Sequence, residues 1–389
     1  MKYYGGFITA AILGAITWVL HQLGERFTTL VDMVYPYVIR TLQSYLAQWS
    51  SGADFLLWQL MAVVLAVIAL AALVLVIVFK RSFISWSGWV LAGFSFVYLL
   101  HTLCFGLNYY AGPLAADIRM EVAQYTLDEL KEATVYYRDQ ANLYAELVDR
   151  DESGNVKFQE FEVLADQAEE GFRYLTYERS FSVFAGSTLP VKKLGLADMY
   201  TSMGITGFTF GLTGEAAVNP QIPDVALPFT MAHEMAHRMC IASERDANFA
   251  AFLACSSNPS LEFQYSAYFR AYRYCYNALA NISTSSSASV ASEVNSGVGV
   301  LLQRDLAYYN TFFNLHRDEA ATRLADTVND TYLRTSGDKA GLNSYAQVCD
   351  LLVNWHIQEV VLPSITVEEK LFDPYDETQV DLSGITHAR

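Results

Sequence analysis

The residues best suited to chemistry are two histidines and a glutamate in the pentapeptide at positions 233–237, His-Glu-Met-Ala-His. His233 and His237 are four residues apart, so on a helix they share one face and can both offer a ring nitrogen to one zinc ion. Glu234 can take a proton from a zinc-bound water, whose pKa the metal lowers to about 7. The pentapeptide therefore predicts a hydrolytic zinc site.

A catalytic zinc site of this kind needs a third protein ligand. An unbroken helix would carry Glu244 about 10 Å past the second histidine, out of reach. We therefore expect the chain to turn between Met239 and Ala242, although neither glycine nor proline stands there. After such a turn Glu244 or Asp246 could face the metal, and the longer Glu244 is favoured because it completes a His-His-Glu set. Asn248, one turn further on, could hold a ligating histidine.

A second candidate cation site is the acidic segment 149–160, which follows the twelve-residue EF-hand pattern. Gly154 at its sixth position would allow the sharp turn of that loop. The candidate calcium ligands are Asp149, Asp151, Ser153, Asn155 and Glu160. The same residue types also suit a plain helix-turn-helix corner, and Lys157 would bring a positive charge near the ion. If calcium binds, we expect weak affinity, of order 10⁻⁴ to 10⁻³ M.

The elements that must position these residues include a membrane anchor. The chain is 53% hydrophobic and only 17% charged, which is more apolar than an ordinary soluble protein. Three apolar stretches, at residues 3–23, 55–79 and 86–107, are long enough to cross a bilayer. The first has the length of a signal sequence but no small-residue cleavage site, so we interpret it as an uncleaved span. The segment 24–54 is too polar to span and is expected to be an interfacial amphipathic segment.

The basic residues beside the spans predict the orientation of the anchor. Lys2 precedes the first span, and Lys80 and Arg81 follow the second, so both flanks are expected in the cytoplasm. A membrane anchor at residues 1–107 would then carry an extracytoplasmic domain at residues 108–389. The lipid bilayer is the expected partner of the anchor. The net charge of −16 argues against nucleic acid as a partner.

The outer domain is expected to be mainly α-helical with a small β-sheet. Hydrophobic spacing predicts helices at 117–148, 161–175, 301–324 and 345–361. Segment 204–219 alternates Thr and Phe between glycines and is predicted to be an extended strand, and its residues 207–218 could pair with a substrate or form a buried hairpin. The long Ser-rich segment 281–299 is expected to be a lid or a disordered loop.

Other side chains could support the chemistry or the fold. A transition-state oxyanion needs a hydrogen-bond donor, and the spacing does not choose among His316, Tyr332, Tyr345 and His356. Four cysteines outside the anchor could form two disulfides, with a pairing that the sequence does not fix. They are Cys240, Cys255, Cys275 and Cys349.

Several of these segments together resemble a known family of bacterial membrane-anchored proteins of the zinc metallopeptidase type, classed as a domain of unknown function. The resemblance lies in residues 106–110, 113–114, 214–219, 233–237, 244–249, 328–333 and 344–345. The order Glu-x-Asp-Ala-Asn also looks like the ligand helix of integral-membrane gluzincins, in which the first Glu binds zinc and the last position is normally Asp. Here that last position is Asn248, and Cys240 stands where such a family usually has a glycine. The resemblance implies a zincin-like fold in the cytoplasmic membrane of a bacterium.

The sequence therefore predicts a zinc-dependent metallopeptidase that hydrolyses peptide bonds of an unknown peptide or protein on the outer face of the membrane. Zn²⁺ is the expected cofactor, with Ca²⁺ as a second candidate. One alternative is a non-catalytic surface binding or scaffold domain with a structural or decayed zinc site. Another is a zinc hydrolase that acts on a non-peptide bond.

Overall fold

The computed structural model describes residues 4–282, 285–338 and 347–363 of the 389-residue chain. In this part the protein is mostly helical with one small sheet. The anchor helices are α1 (Gly5–Arg26), α2 (Thr28–Ser50), α3 (Leu57–Val78) and α4 (Phe83–Cys104). The remaining helices are α5 (Leu114–Asp117), α6 (Leu127–Leu147), α7 (Phe161–Gln167), α8 (Glu169–Tyr177), α9 (Ala197–Ser202), α10 (Leu227–Arg238), α11 (Glu244–Ser256), α12 (Leu261–Asn281), α13 (Ser285–Ser296), α14 (Val300–His316), α15 (Glu319–Ser336) and α16 (Val348–His356).

The structure confirms three helices that are long and apolar enough to cross a membrane. They are α1, α3 and α4, each of 22 residues. Helix α1 crosses α4 closely, because a Cβ atom added to Gly6 would lie 2.3 Å from the carbonyl carbon of Gly88. Small residues at such a crossing let two helix backbones approach within the bilayer. Helix α1 therefore packs closely against α4.

The segment between the first two spans forms helix α2, and one face of this helix is buried against the rest of the protein. The buried residues of that face are Pro36, Ile39, Arg40, Gln43, Ala47 and Ser50. The Nε2 amide of Gln43 donates to the carbonyl oxygens of Cys104, at the end of α4, and Gly211, at distances of 3.0 and 2.7 Å. Helix α2 therefore connects the end of α4 with the hairpin that contains Gly211.

The predicted extended strand at 204–219 is wrong as a single strand, because the chain folds there into a hairpin. The sheet has three strands in the order β1-β3-β2, with β1 parallel and β2 antiparallel to β3. The strands are β1 (Lys192–Lys193), β2 (Gly207–Phe210) and β3 (Glu215–Val218). The hairpin closes where the N–H groups of Thr213 and Gly214 donate to the carbonyl of Phe210, and Gly214 supplies the left-handed φ of 66°.

The predicted helices at 117–148 and 301–324 have different bounds in the structure. Helix α6 begins only at Leu127, where Thr126 and Glu129 form a capping box. The segment 301–324 divides into α14 and α15, because the Asp318 side chain accepts a hydrogen bond of 2.8 Å from the N–H of Ala321 and starts a new helix. In the segment 345–361, α16 begins at Val348 and continues as a π-helical turn, Ile357–Val361, whereas residues 345 and 346 lie outside the described part.

The predicted helix at 161–175 is two helices in the structure, α7 and α8. The lid or loop predicted at 281–299 is wrong for most of that segment, since residues 285–296 form helix α13. Ala291 and Val294 of α13 are buried in the main core, which packs α13 against α6 and α12. This segment is therefore helical because one apolar face is buried, although its Ser-rich composition suggests a loop.

The two disulfides that the four cysteines could form are not present in the structure, in which all five cysteines have free thiols. Cys275 of α12 and Cys349 of α16 lie side by side in the core, and their thiols interact. The main core also holds most of α10 and α11, each packed against α12. These buried helices form a rigid frame around the predicted zinc site.

Candidate metal centre

Helix α10 presents both histidines of the predicted site. It packs against strands β2 and β3 on one side and against α11 and α12 on the other. His233 and His237 lie one turn apart, and their Nε2 atoms are 3.1 Å from each other. The Nδ1–H of His237 donates to the carbonyl oxygen of Ile241 over 2.8 Å, which leaves the Nε2 lone pair for a ligand.

The predicted turn after α10 is confirmed, and it centres on Cys240. The φ angle of Cys240 is 72°, in the left-handed region that normally favours glycine. The N–H of Cys240 donates to the carbonyl of His237 over 2.9 Å, and the N–H of Ile241 donates to Ala236 over 3.1 Å. This pair of bonds is the Schellman motif that ends many helices.

Glu244, the first residue of α11, is the carboxylate that the turn brings to the histidines. Its Oε2 atom lies 3.2 Å from Nε2 of His233 and 3.6 Å from Nε2 of His237. Asp246, the competing ligand, accepts hydrogen bonds instead from the N–H of Leu114 and from Nε of Arg245. Within the described part of the chain, the His233, His237 and Glu244 trio is the one such group suited to hold a metal.

The spacing of these three ligand atoms fits a zinc ion. Four ligands about 2.0 Å from a tetrahedral zinc ion lie about 3.3 Å from one another. The three distances observed, 3.1, 3.2 and 3.6 Å, cluster around that value. The Oε2 atom of Glu244, one of the three converging atoms, is buried and has no hydrogen-bond partner. A cation at the centre would satisfy the converging lone pairs, so the residues present fit the metal.

The charges of the trio compensate one another without a metal. Burial alone would lower the pKa of His237, but the adjacent Glu244 carboxylate raises it to about 9. Burial would raise the pKa of Glu244, and His237 and His233 together hold it well below its usual range. A metal cation would take over the role of the imidazole proton, since a ligating histidine must be neutral.

Glu234 is buried beside the ligands, with only 5% of its surface exposed. Burial raises the pKa of its carboxyl group. The hydroxyl of Thr209 in strand β2 donates to Oε2 over 2.7 Å. A Cβ atom on Gly207 would lie 2.4 Å from Oε1, so this strand can approach the carboxylate only with a glycine there. Strand β2 therefore positions the predicted general base.

Asn248 lies on the ligand helix and contacts Glu244 instead of a histidine. Its Nδ2 atom donates to the Glu244 carbonyl over 2.7 Å, and its Oδ1 accepts from the hydroxyl of Tyr274 over 2.8 Å. The backbone carbonyl of Ile241 makes the hydrogen bond to His237 that Asn248 was expected to make. Asn248 thus fixes the first turn of α11 and, through it, the position of the third ligand.

Among the four predicted oxyanion donors, Tyr332 of α15 is half-buried and lies close enough to Glu244 to be affected by its charge. Burial raises its pKa to about 12, and the charge of Glu244 acts in the same direction. Its hydroxyl lies 3.0 Å from Nε2 of His101 in α4. His316 is exposed and contacts the carbonyl of its own helix, at Phe312.

The two other candidates do not lie beside the trio in the described part. His356 is buried against Tyr136, with ring centroids 4.8 Å apart. Tyr345 lies outside the described residues. Tyr332 is therefore the one of these candidates with a link to the trio, through the charge of Glu244.

Comparison with known proteins gives a family for the chain. The family model described as a protein of unknown function (DUF3810) matches residues 31–353. The chain belongs to the DUF3810 family. The match begins in α2 and ends in α16, so it covers α3, α4 and the whole metal centre of this DUF3810 protein. No curated protein and no solved structure matches. The predicted membership of a domain of unknown function is confirmed, and the family description assigns no activity.

The acidic segment 149–160 of the DUF3810 chain forms a tight loop. Arg150 pairs with Val156 in a β-bridge, and the Asp151 carboxylate accepts the N–H of Asn155 over 2.9 Å. Arg304 donates to the carbonyl of Ser153. The three candidate carboxylate ligands, Asp149, Asp151 and Glu160, do not form a cluster of the kind found at the candidate metal centre. Calcium binding stays a prediction.

Three contacts that hold the site were not predicted from the sequence. They are the hydrogen bonds from Thr209 to Glu234, from His237 to the carbonyl of Ile241, and from Arg40 to the carbonyl of Met239. The alternation of Thr and Phe around residue 209 could have indicated Thr209, because every second side chain of a strand faces the same way. Nothing local points to Arg40, which lies 199 residues from its partner Met239.

Proposed function

We propose that this protein is a membrane-anchored zinc metallopeptidase that hydrolyses peptide bonds. One observation carries the proposal: the Nε2 atoms of His233 and His237 and Oε2 of Glu244 lie 3.1–3.6 Å apart, next to the buried Glu234. A zinc ion held there would polarise a substrate carbonyl and lower the pKa of a bound water to about 7.

In this proposal Glu234 is the general base. Burial raises the pKa of its carboxyl, which suits a group that must take up a proton and then deliver it to the leaving amine. Thr209 holds Oε2, so Oε1 is the oxygen left to exchange the proton. Tyr332 donates its hydroxyl to the oxyanion, and His101 orients that hydroxyl.

The ligand set favours catalysis over a structural zinc site. Structural sites are closed by four protein ligands, whereas catalytic sites keep one position open. In the described part of the chain, no fourth histidine, cysteine or acidic side chain joins the trio. This open position is the feature that argues against the binding or scaffold alternative.

Strand β2 is the element proposed to bind an extended peptide. It lies at the edge of the sheet, pairs with β3 and reaches Glu234 through Thr209 and Gly207. A peptide that added a strand to this edge would lie along the metal centre. Phe208, which is 41% exposed, could contact alternate side chains of such a peptide.

The anchor would place the reaction at the outer surface of a bacterial cytoplasmic membrane. The basic side chains of Lys80 and Arg81 follow α3, and basic residues favour the cytoplasmic side. The loop from α3 to α4 would then lie inside, and the centre at the other end of α4 would lie outside.

Cleavage of a defined peptide library by the full-length protein in detergent tests the proposal. We expect Glu234→Gln to keep zinc and to lower turnover by at least about 10²-fold, because the base is lost and the ligands stay. The control is Glu293→Gln, on an exposed carboxylate that pairs with Lys131. Wild-type turnover in the Glu234→Gln protein would rule out this role. A zinc-loaded wild type that cleaves no peptide but hydrolyses esters would favour a non-peptide substrate, and inertness towards both would favour a scaffold.

A further inference from the structure

Two arginines of α12 stand close together without a carboxylate partner in the described part of the chain. Arg270 and Arg273 are half-buried. Arg270 donates to the hydroxyls of Tyr309 and Tyr274 over 2.7 and 2.8 Å, and Arg273 donates to Oδ1 of Asn310 over 2.9 Å. These neutral partners leave both positive charges uncompensated.

The surroundings of the two guanidinium groups make an anion favourable there. Nε of Arg270 is buried and has no hydrogen-bond partner. Burial lowers the pKa of Arg273, and the positive charge of Arg270 acts in the same direction. Aromatic faces offset part of this cost, since Arg270 lies 5.1 Å from the ring centre of Phe229 and Arg273 lies 4.2 Å from that of Tyr309. A partly desolvated pair of cations without a counter-ion is costly, so a bound anion would be stabilising.

The arginine pair adjoins the metal centre through two connections. Phe229, under the guanidinium of Arg270, precedes His233 by one turn of α10. Tyr274, the second partner of Arg270, donates its hydroxyl to Asn248, which in turn holds the carbonyl of Glu244. These contacts place Arg270 against Phe229, one helical turn from His233, and link it through Tyr274 to Asn248, one helical turn from Glu244.

We propose that Arg270 and Arg273 form a subsite for a carboxylate of the peptide substrate. The inference rests on the proposed peptidase function and names the chemistry of its substrate. A guanidinium group matches a carboxylate with two parallel hydrogen bonds, and two such groups together select a negative charge over a neutral amide. The carboxylate is either the C-terminus of the peptide or an Asp or Glu side chain.

Peptide binding to the full-length Glu234→Gln protein separates these sources. Three fluorescent peptides of one sequence are compared by anisotropy: a free C-terminal acid, a C-terminal amide, and the amide with one Gln changed to Glu. We expect one or both anionic peptides to bind at least about tenfold more tightly than the neutral amide. Preference for the free acid identifies the C-terminus, and preference for the Glu peptide identifies a side chain.

Variants test whether the arginine pair causes the preference. Arg273→Gln should reduce it to about threefold or less, and Arg273→Lys should keep part of it, because the charge stays but the paired donors are lost. Arg323→Gln removes the same charge from an exposed i,i+4 ion pair of α15 and should leave the preference intact. A merely structural role of Arg273 would weaken all three peptides equally.

Two results would overturn the subsite: equal affinity for the three peptides, or a preference that survives both Arg270→Gln and Arg273→Gln. Turnover by the wild type is measured separately. Carboxylate preference that depends on Arg273, in a wild type that cleaves nothing, would refute the peptidase and keep the anion subsite. Cleavage without any preference for a carboxylate would keep the peptidase and refute the subsite.

Discussion

The Nε–H of Arg40 donates a hydrogen bond to the carbonyl oxygen of Met239 over 3.2 Å. Arg40 belongs to α2, between two candidate membrane spans, whereas Met239 ends the helix that carries His233 and His237, the two candidate zinc ligands. The next residue, Cys240, makes the left-handed turn that brings Glu244 to those histidines. Helix α2 therefore supports the turn on which the candidate metal centre depends.

Replacing Arg40 tests this support. Arg40→Met keeps the length of the side chain but leaves the buried carbonyl of Met239 without its donor, so we expect a loss of about 1–3 kcal/mol in the free energy of unfolding. Zinc affinity should fall as well. The control is Arg173→Met, on an exposed side chain of α8 outside the candidate membrane spans. Equal zinc affinity and melting temperature in both variants would show that Arg40 does not support the site.

Cys240 offers a direct test of the turn. Its φ of 72° strains any residue with a Cβ atom, so glycine should be favoured over alanine at this position by about 1 kcal/mol. Thermal unfolding of Cys240→Gly and Cys240→Ala, both with zinc bound, measures the difference. An alanine variant as stable as the glycine variant would show that the backbone there is not left-handed.

Tyr332→Phe tests the proposed oxyanion donor. Loss of the hydroxyl should lower kcat by about 10²-fold, because one fewer donor stabilises the transition state. KM and zinc content should change little. Tyr308→Phe, on an exposed residue of α14, serves as the matched control. If Tyr332→Phe keeps the wild-type kcat, the donor must be another group.

His356 predicts a pH dependence of stability that is independent of the metal centre. Burial lowers its pKa from 6.5 to about 4, so the folded protein holds the neutral form. The stability linked to this group is fully present above pH 6.5 and is lost as the pH falls towards 4. His356→Phe, packed against Tyr136, should remove this dependence, which we estimate at about 2 kcal/mol. Unfolding curves of the two proteins at pH 7 and pH 5 measure this dependence. The wild type should lose more stability between the two pH values than His356→Phe, and an equal loss in both proteins would contradict the prediction.

The sequence predicted the parts of the molecule that local rules determine. The spacing of His233 and His237 fixes one helix face, and the apolar stretches fix three spans. Helix geometry requires a turn before Glu244. Glu244 could then be favoured over Asp246 because its side chain is longer and completes a His-His-Glu ligand set. These features depend on residues near one another in the chain.

Features decided by distant contacts could not be predicted in the same way. The left-handed conformation of Cys240 is supported by Arg40, and no local residue demands it. Helix α13 forms from a Ser-rich segment because Val294 is buried against other helices. The break before α15 depends on one capping aspartate, Asp318, within an otherwise continuous helical pattern.

Zinc content per chain of the full-length protein in detergent tests the central claim most directly. We expect one zinc per wild-type chain, its loss in His237→Ala and Glu244→Ala, and its retention in Asp246→Asn and Glu234→Gln. Circular dichroism on the same samples shows that each variant is folded. A folded wild type that takes up no added zinc, or zinc that remains bound in both His237→Ala and Glu244→Ala, would contradict the account.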